Sequence, residues 1–126
     1  MADTRVLGDL EQAVMDALWQ GVAGDVKSVH DAVGGPRGIT SNTTQSTLKR
    51  LWKKGLLERH KVSHAFVYHP VCTRADYHRD VLASVAEQLA GGTDRASVVA
   101  CFVDVAERLS PDGLDRLEAL IAARRG

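Results

Sequence analysis

Helix-breaking residues cut the stretch from Asp9 to Pro70 into pieces so short that only a compact cluster of helices closed by a hairpin can use them. Gly21 and Gly24, the run Gly34-Gly35-Pro36, then Gly55 and Pro70 set the limits of the pieces. In the first piece Leu10, Ala13, Val14, Ala17 and Leu18 recur at helical spacing behind Asp9, which is placed to cap the helix. Val26, Val29 and Val33 predict a short second helix from Val26 to Val33. A third opens at Thr40, whose hydroxyl is a good cap, and runs to Lys54, with Ile39 as a hydrophobic anchor ahead of it. Leu56 to Lys61, the polar turn Val62-Ser63-His64 and Ala65 to His69 then read as a β-hairpin, in which Phe66 and Tyr68 alternate with Ala65, Val67 and His69. The expected fold class is mainly α with a small β-hairpin wing: a winged helix-turn-helix over residues 1–71, followed by a C-terminal helical segment over residues 72–126.

The third helix has two unlike sides. Thr44, Leu48 and Leu51 fall on the core side, while Asn42, Thr43, Gln45, Ser46, Lys49, Arg50 and Lys53 crowd the other, and no acid occurs between Thr40 and Lys54. A helix that enters the major groove needs amides and hydroxyls near its tip for base edges, and cations further along for phosphates. The hairpin behind it adds Arg59, Lys61 and the tip residue His64, within reach of backbone phosphate or the minor groove. The expected DNA-contacting set is therefore Thr40, Asn42, Thr43, Gln45, Ser46, Lys49, Arg50, Lys53, Arg59, Lys61 and His64. For His64 a plain covering role competes evenly.

Charge supports this placement although the whole chain of 126 residues is formally neutral. From Lys49 to Lys61 six basic residues face one acid, Glu58, whereas from Val71 onward seven arginines face nine acids. Winged helices also serve as protein-binding modules, the alternative reading, but such a surface carries aromatic or aliphatic anchors where this one carries Asn, Gln, Ser, Lys and Arg. No apolar run is long enough for a membrane span, no signal peptide opens the chain, and the two cysteines lie far apart, so a cytoplasmic protein with reduced thiols and no membrane insertion is expected. His60, His64, His69 and Cys72 lie close in sequence and could meet around the hairpin, but residues of one strand alternate sides, which makes this a weak metal signal. Cys101 stands alone in an apolar helical pattern with no partner for nucleophilic catalysis, and no phosphate-cradling glycine loop is present. Neither an enzyme nor a cofactor or metal is expected.

The remaining residues predict three helices. Thr73 and Asp76 form a capping box ahead of Tyr77, Val81, Val85 and Leu89, with a stop at Gly91-Gly92. A second helix from about Asp94 to Leu109 carries Val98, Val99, Phe102, Val103 and Ala106 on its apolar side, which places Phe102 in a core. Ser110 as cap and Pro111 as first helical residue open the third, with Leu114, Leu117, Leu120 and Ile121. Three short helices bury too little alone, so they need either the winged helix or a second copy.

Read together, these segments resemble the penicillinase repressor family along nearly the whole chain. Leu7 to Trp19 is similar to its opening helix, Thr43-Thr44-Gln45-Ser46-Thr47-Leu48-Lys49-Arg50-Leu51 to its recognition helix, and Lys54-Gly55-Leu56-Leu57-Glu58-Arg59 with Phe66-Val67-Tyr68-His69-Pro70 to its wing. The resemblance implies a homodimeric repressor of β-lactamase-type genes on inverted-repeat operators of double-stranded DNA. It places base and phosphate contacts on Asn42, Gln45, Ser46 and Arg50, and the pairing it implies is expected on the apolar helix faces at Tyr77, Val81, Val85, Leu89, Leu114, Leu117 and Ile121. It also implies release by a membrane-bound β-lactam sensor protease that cuts at Cys101-Phe102, where family members commonly carry Asn-Phe.

Overall fold

The computed structural model describes residues 6–91 and 94–126, so the Gly92 half of the expected helix stop lies outside the described residues. Two compact units divide the chain, the first ending at Leu82 and the second running from Ala83 to Gly126.

In the first unit, α1 spans Asp9–Trp19 and α2 spans Val26–Val29, continued by a π-helical turn His30–Gly34; α3 spans Ser41–Lys53, and β1 (Leu57–Val62) pairs antiparallel with β2 (Ala65–Pro70). The cap of α1 is Gly8 rather than Asp9: the Glu11 carboxylate reaches back to accept from the Gly8 N–H at 3.3 Å, and Asp9 sits in the first turn beside the positive end of the helix. Asp25 caps α2 by accepting from Ser28 N–H at 3.0 Å. The hydroxyl of Thr40 caps α3 as expected, accepting from Thr43 N–H at 3.2 Å. Val62 belongs to β1 and Ala65 to β2, so the turn is the two-residue loop Ser63-His64, shorter than the pattern predicts. Ser63 takes φ 59°, as a tight hairpin turn with one left-handed residue at its first position requires.

The core joins Val14, Met15, Ala17 and Leu18 of α1 to Val29 and Val33, Leu48 and Leu51 of α3, and Leu56, Leu57 and Tyr68 around the hairpin. Met15 and Thr47 are fully buried though the helical periodicity did not single them out, because α1 and α3 are covered on more than one side. A short third strand position completes the sheet: Tyr68 N–H donates to Gly24 O at 2.9 Å and Asp25 bridges Val67. Gly24 is required there, since a Cβ would collide with the Tyr68 backbone. The first turns of α4 (Arg74–Leu89) belong to this unit: Thr73 caps it, accepting from Asp76 N–H at 3.1 Å. Tyr77 packs its ring against Trp19 at 5.4 Å, and Trp19 Nε1 donates to Cys72 O at 2.9 Å.

The second unit holds the rest of α4, α5 (Arg95–Leu109, capped by Asp94) and α6 (Gly113–Arg125). The last helix starts two residues later than Ser110 and Pro111 predict. Ser110 is extended and its carbonyl accepts from Gly113 N–H at 3.1 Å, so Pro111-Asp112 occupy the bend of a turn, a position that suits proline. Gly113 lies against the Ala106 carbonyl so closely that any Cβ would overlap it, which is how the turn brings α6 back onto α5. Neither α5 nor α6 contains a buried residue. Phe102, expected in a core, is 42% exposed, because α5 carries apolar residues on several sides and its neighbours in this unit cover them only in part.

Candidate nucleic-acid interface

The polar face of α3 is open because its other face is fastened at three depths. Thr44, Thr47, Leu48 and Leu51 are buried along its length. Thr44 Oγ1 is hydrogen-bonded to His30 Nδ1 at 2.8 Å, tying the helix to the π-helical turn. At its end Lys54 Nζ donates to both Glu11 carboxylate oxygens, at 3.0 and 2.8 Å, tying it to α1. Burial pushes the Glu11 carboxyl up, but the hydrogen bonds from Lys54 and Gly8 N–H, with the Lys54 charge, outweigh it and hold the group below its ordinary value. Lys54, counted in the basic run of the sequence, thus serves an internal ion pair.

Asn42, Gln45, Ser46, Lys49, Arg50 and Lys53 are all exposed on one side of α3. Thr40 and Thr43 are exposed as well, with their hydroxyls 3.0 Å apart and hydrogen-bonded to each other, so both belong first to the cap. Arg50 is aimed from below: its Nη2 donates to Thr47 Oγ1 at 3.3 Å, and that hydroxyl in turn donates to Thr43 O at 2.8 Å. Nothing in the helical spacing marks Thr47 for this role, since its polar atom is hidden in the helix groove.

The wing is held differently from expectation. Arg59, predicted as a phosphate contact, has its guanidinium carbon 3.5 Å from the Trp52 ring centroid and 3.8 Å from that of Phe66, with Nη1 donating to the Tyr68 hydroxyl at 3.5 Å. Each such stacking is worth about 0.5 to 2 kcal/mol, rising as water is excluded. Arg59 is therefore engaged in packing between α3 and both strands. Lys61 and the tip residue His64 are exposed. On the opposite side of the hairpin His60 and His69 stack with ring planes 2° apart and centroids at 4.9 Å, parallel rather than converging. Among the described residues no group of three or more His, Cys, Asp or Glu is arranged to hold a metal ion. Burial, then the charges of Asp76 and Asp80, push the Cys72 thiol up, away from a reactive thiolate.

Of the residues expected to pair, Tyr77 lies in the core of the first unit at 5% exposure, and Val81 packs against the same core. Val85 and Leu117 are half-buried, whereas Leu89, Leu114 and Ile121 are exposed. The second unit shows more uncovered apolar surface than predicted, adding Val99, Val103, Val105, Leu109 and Leu120. Cys101 and Phe102 lie exposed on α5. No helix among the described residues is long and apolar enough to cross a membrane.

Comparison with known proteins places this arrangement. The model of the family described as penicillinase repressor matches residues 7–123. The transcriptional regulator BlaI of Mycobacterium tuberculosis (strain CDC 1551 / Oshkosh) is 35% identical over 123 residues, 97% of this chain and 87% of that protein. The penicillinase repressor of Bacillus licheniformis is 32% identical over 71 residues, 56% of each protein. Among solved structures, the DNA-binding domain of the repressor BlaI, determined in solution, superposes with a TM-score of 0.52 at 31% identity, covering 61% of this chain and 94% of that one. Since the family pattern runs through both units and the winged helix matches in three dimensions, the chain belongs to the penicillinase repressor family.

Proposed function

We propose that this chain is a transcriptional repressor that binds inverted-repeat operators as a homodimer, reading bases with α3 and bracing the duplex with the wing. The observation that carries this reading is the acid-free outer face of α3, where Asn42, Gln45 and Ser46 lead and Lys49, Arg50 and Lys53 follow, all exposed. The relatives named as BlaI and penicillinase repressor support the regulatory role and β-lactamase-type genes as targets. Base and phosphate contacts are assigned to Asn42, Gln45, Ser46, Lys49, Arg50 and Lys53, with Lys61 and His64 on the wing.

Pairing is assigned to the second unit, whose uncovered Leu89, Leu109, Leu114, Leu120 and Ile121 require a cover in water. A second copy supplies it symmetrically and matches the two halves of an inverted repeat. Release follows from cleavage of the Cys101-Phe102 bond by a membrane-bound β-lactam sensor protease. Both residues are exposed, but the bond between them lies inside the hydrogen-bonded helix α5, so the helix must open locally for it to be cut, and the cut detaches α6 and weakens pairing.

Gel-shift titration of the full chain tests the reading surface: Gln45→Ala combined with Arg50→Ala should abolish sequence preference, and unchanged binding contradicts it. Sedimentation tests pairing, with a monomer at micromolar concentration as the contrary result. Mass spectrometry of the protein from β-lactam-treated cells tests release; an intact chain under full induction contradicts it.

A further inference from the structure

We infer that Arg59 is a positioning residue that locks the wing to the end of the recognition helix, and that it acts on DNA through this geometry rather than by touching a phosphate. The inference rests on the DNA-binding reading above. Trp52 lies in the last turns of α3, Arg59 in β1, and Phe66 and Tyr68 in β2, so one guanidinium joins three elements. Its guanidinium carbon lies over two rings, Trp52 at 3.5 Å and Phe66 at 3.8 Å from the centroids, and Nη1 donates to Tyr68 Oη at 3.5 Å. Tyr68 is itself anchored, 3% exposed in the core and bonded through its N–H to Gly24 O. Arg59 makes no ion pair among the described residues, and Glu58 next to it points to the other face of the hairpin, across from His69. Contact with two aromatic rings together with one N–H bond is a task for a planar, delocalised cation; a lysine ammonium lacks the plane.

Functionally, Lys61 and His64 must stand at a fixed distance from Asn42, Gln45 and Ser46 for wing and helix tip to meet the duplex together. The root of the hairpin is fixed where Val71 N–H donates to Leu56 O at 3.0 Å, and the edge of β2 is held beside Gly24 and Asp25 at Tyr68 and Val67. On the β1 side, the contact of Arg59 with Trp52 adds a tie from the hairpin to α3 beyond the shared core. Without it the hairpin beyond Val67 sways, and each binding event must first order it, an entropic cost that falls on every DNA sequence alike.

The test uses the full chain and a fluorescein-labelled duplex selected by the wild type from a random-sequence pool. Arg59→Lys keeps the charge and removes the stack; it should weaken binding roughly tenfold, for selected and random duplexes alike, with the salt dependence of the wild type. Trp52→Leu should do the same, and the double variant should lose little more than either single one, because both remove one contact. In the free chain, 15N relaxation should show lower order for the amides from His60 to Ala65 in both variants, while α1 stays unchanged. Lysine rescue of binding overturns the inference, as does an Arg59→Gln variant whose salt slope falls by about one while Arg59→Lys restores it, the mark of a direct phosphate contact. A wild type that selects no duplex refutes the DNA-binding reading instead. In that event the relaxation data still decide the lock: unchanged wing order in Arg59→Lys overturns it, and reduced order upholds it.

Discussion

Thr47→Val separates what the recognition helix needs in order to fold from what it needs in order to read DNA. Thr47 is fully buried, and its hydroxyl donates to Thr43 O at 2.8 Å while accepting from Arg50 Nη2 at 3.3 Å. Valine fills the same space. The substitution removes both hydrogen bonds; the one from the exposed Arg50 is exchanged for water, the one to Thr43 O costs about 1 kcal/mol, and the methyl group buried in place of the hydroxyl returns roughly 0.8 kcal/mol. No buried group is orphaned: Thr43 O remains the i−4 acceptor of the helix ladder, and the exposed Arg50 turns to water. Stability should therefore stay within about 1 kcal/mol of wild type in urea denaturation, whereas Thr47→Ala, which also leaves a methyl-sized gap, should cost about 1 to 2 kcal/mol. Operator affinity should fall severalfold in Thr47→Val even so, because Arg50 loses the contact that aims it. A loss of stability above about 2 kcal/mol, or an affinity equal to wild type, refutes this account of Thr47.

Three further outcomes are expected. Gly24→Ala drives a Cβ into the Tyr68 backbone and should cost more than about 2 kcal/mol in urea denaturation, with the largest amide shifts at the hairpin root by NMR. The Glu11 carboxyl is held below its ordinary value of 4.5, so its contribution is fully present above that pH and is lost as pH falls through the lower folded value; Glu11→Gln should destabilise by about 1 kcal/mol at pH 7, and the gap to wild type should close in acid-unfolding curves below pH 4.5. A fragment ending at Leu82 should fold as a monomer, while one ending at Pro70 loses Tyr77 and the Cys72 carbonyl from Trp19 and should melt at a lower temperature by circular dichroism.

The local periodicities carried most of the fold. The helices over α1, α3 and α4, the hairpin and the Thr40 and Thr73 caps were readable because each depends on neighbours within four residues or on strict alternation. What escaped depends on contacts distant in sequence. The sheet position at Gly24 exists only because Tyr68 arrives beside it, and Tyr77 reads like any apolar helix residue until Trp19 is seen against it. The polar outer face of α3 was legible as composition, but the roles of the cations that follow it were not: Lys54 pairs with Glu11, and Arg59 lies over the Trp52 and Phe66 rings. A sequence counts charges without showing which of them are already engaged. The turn before α6 was misplaced for a similar reason, since the approach of Gly113 to Ala106 sets it rather than the local preference of Pro111.

The central claim is that paired copies read a twofold site through the outer face of α3, and hydroxyl-radical footprinting of the full chain on the DNA flanking its own gene tests it most directly. The account predicts two protected half-sites related by inverted-repeat symmetry, with centres about one helical turn or a whole number of turns apart. It predicts that both protections vanish together in the Gln45→Ala, Arg50→Ala double variant at concentrations that saturate the wild type. Specific protection that survives the double substitution, or protection spread evenly along the duplex, would contradict it.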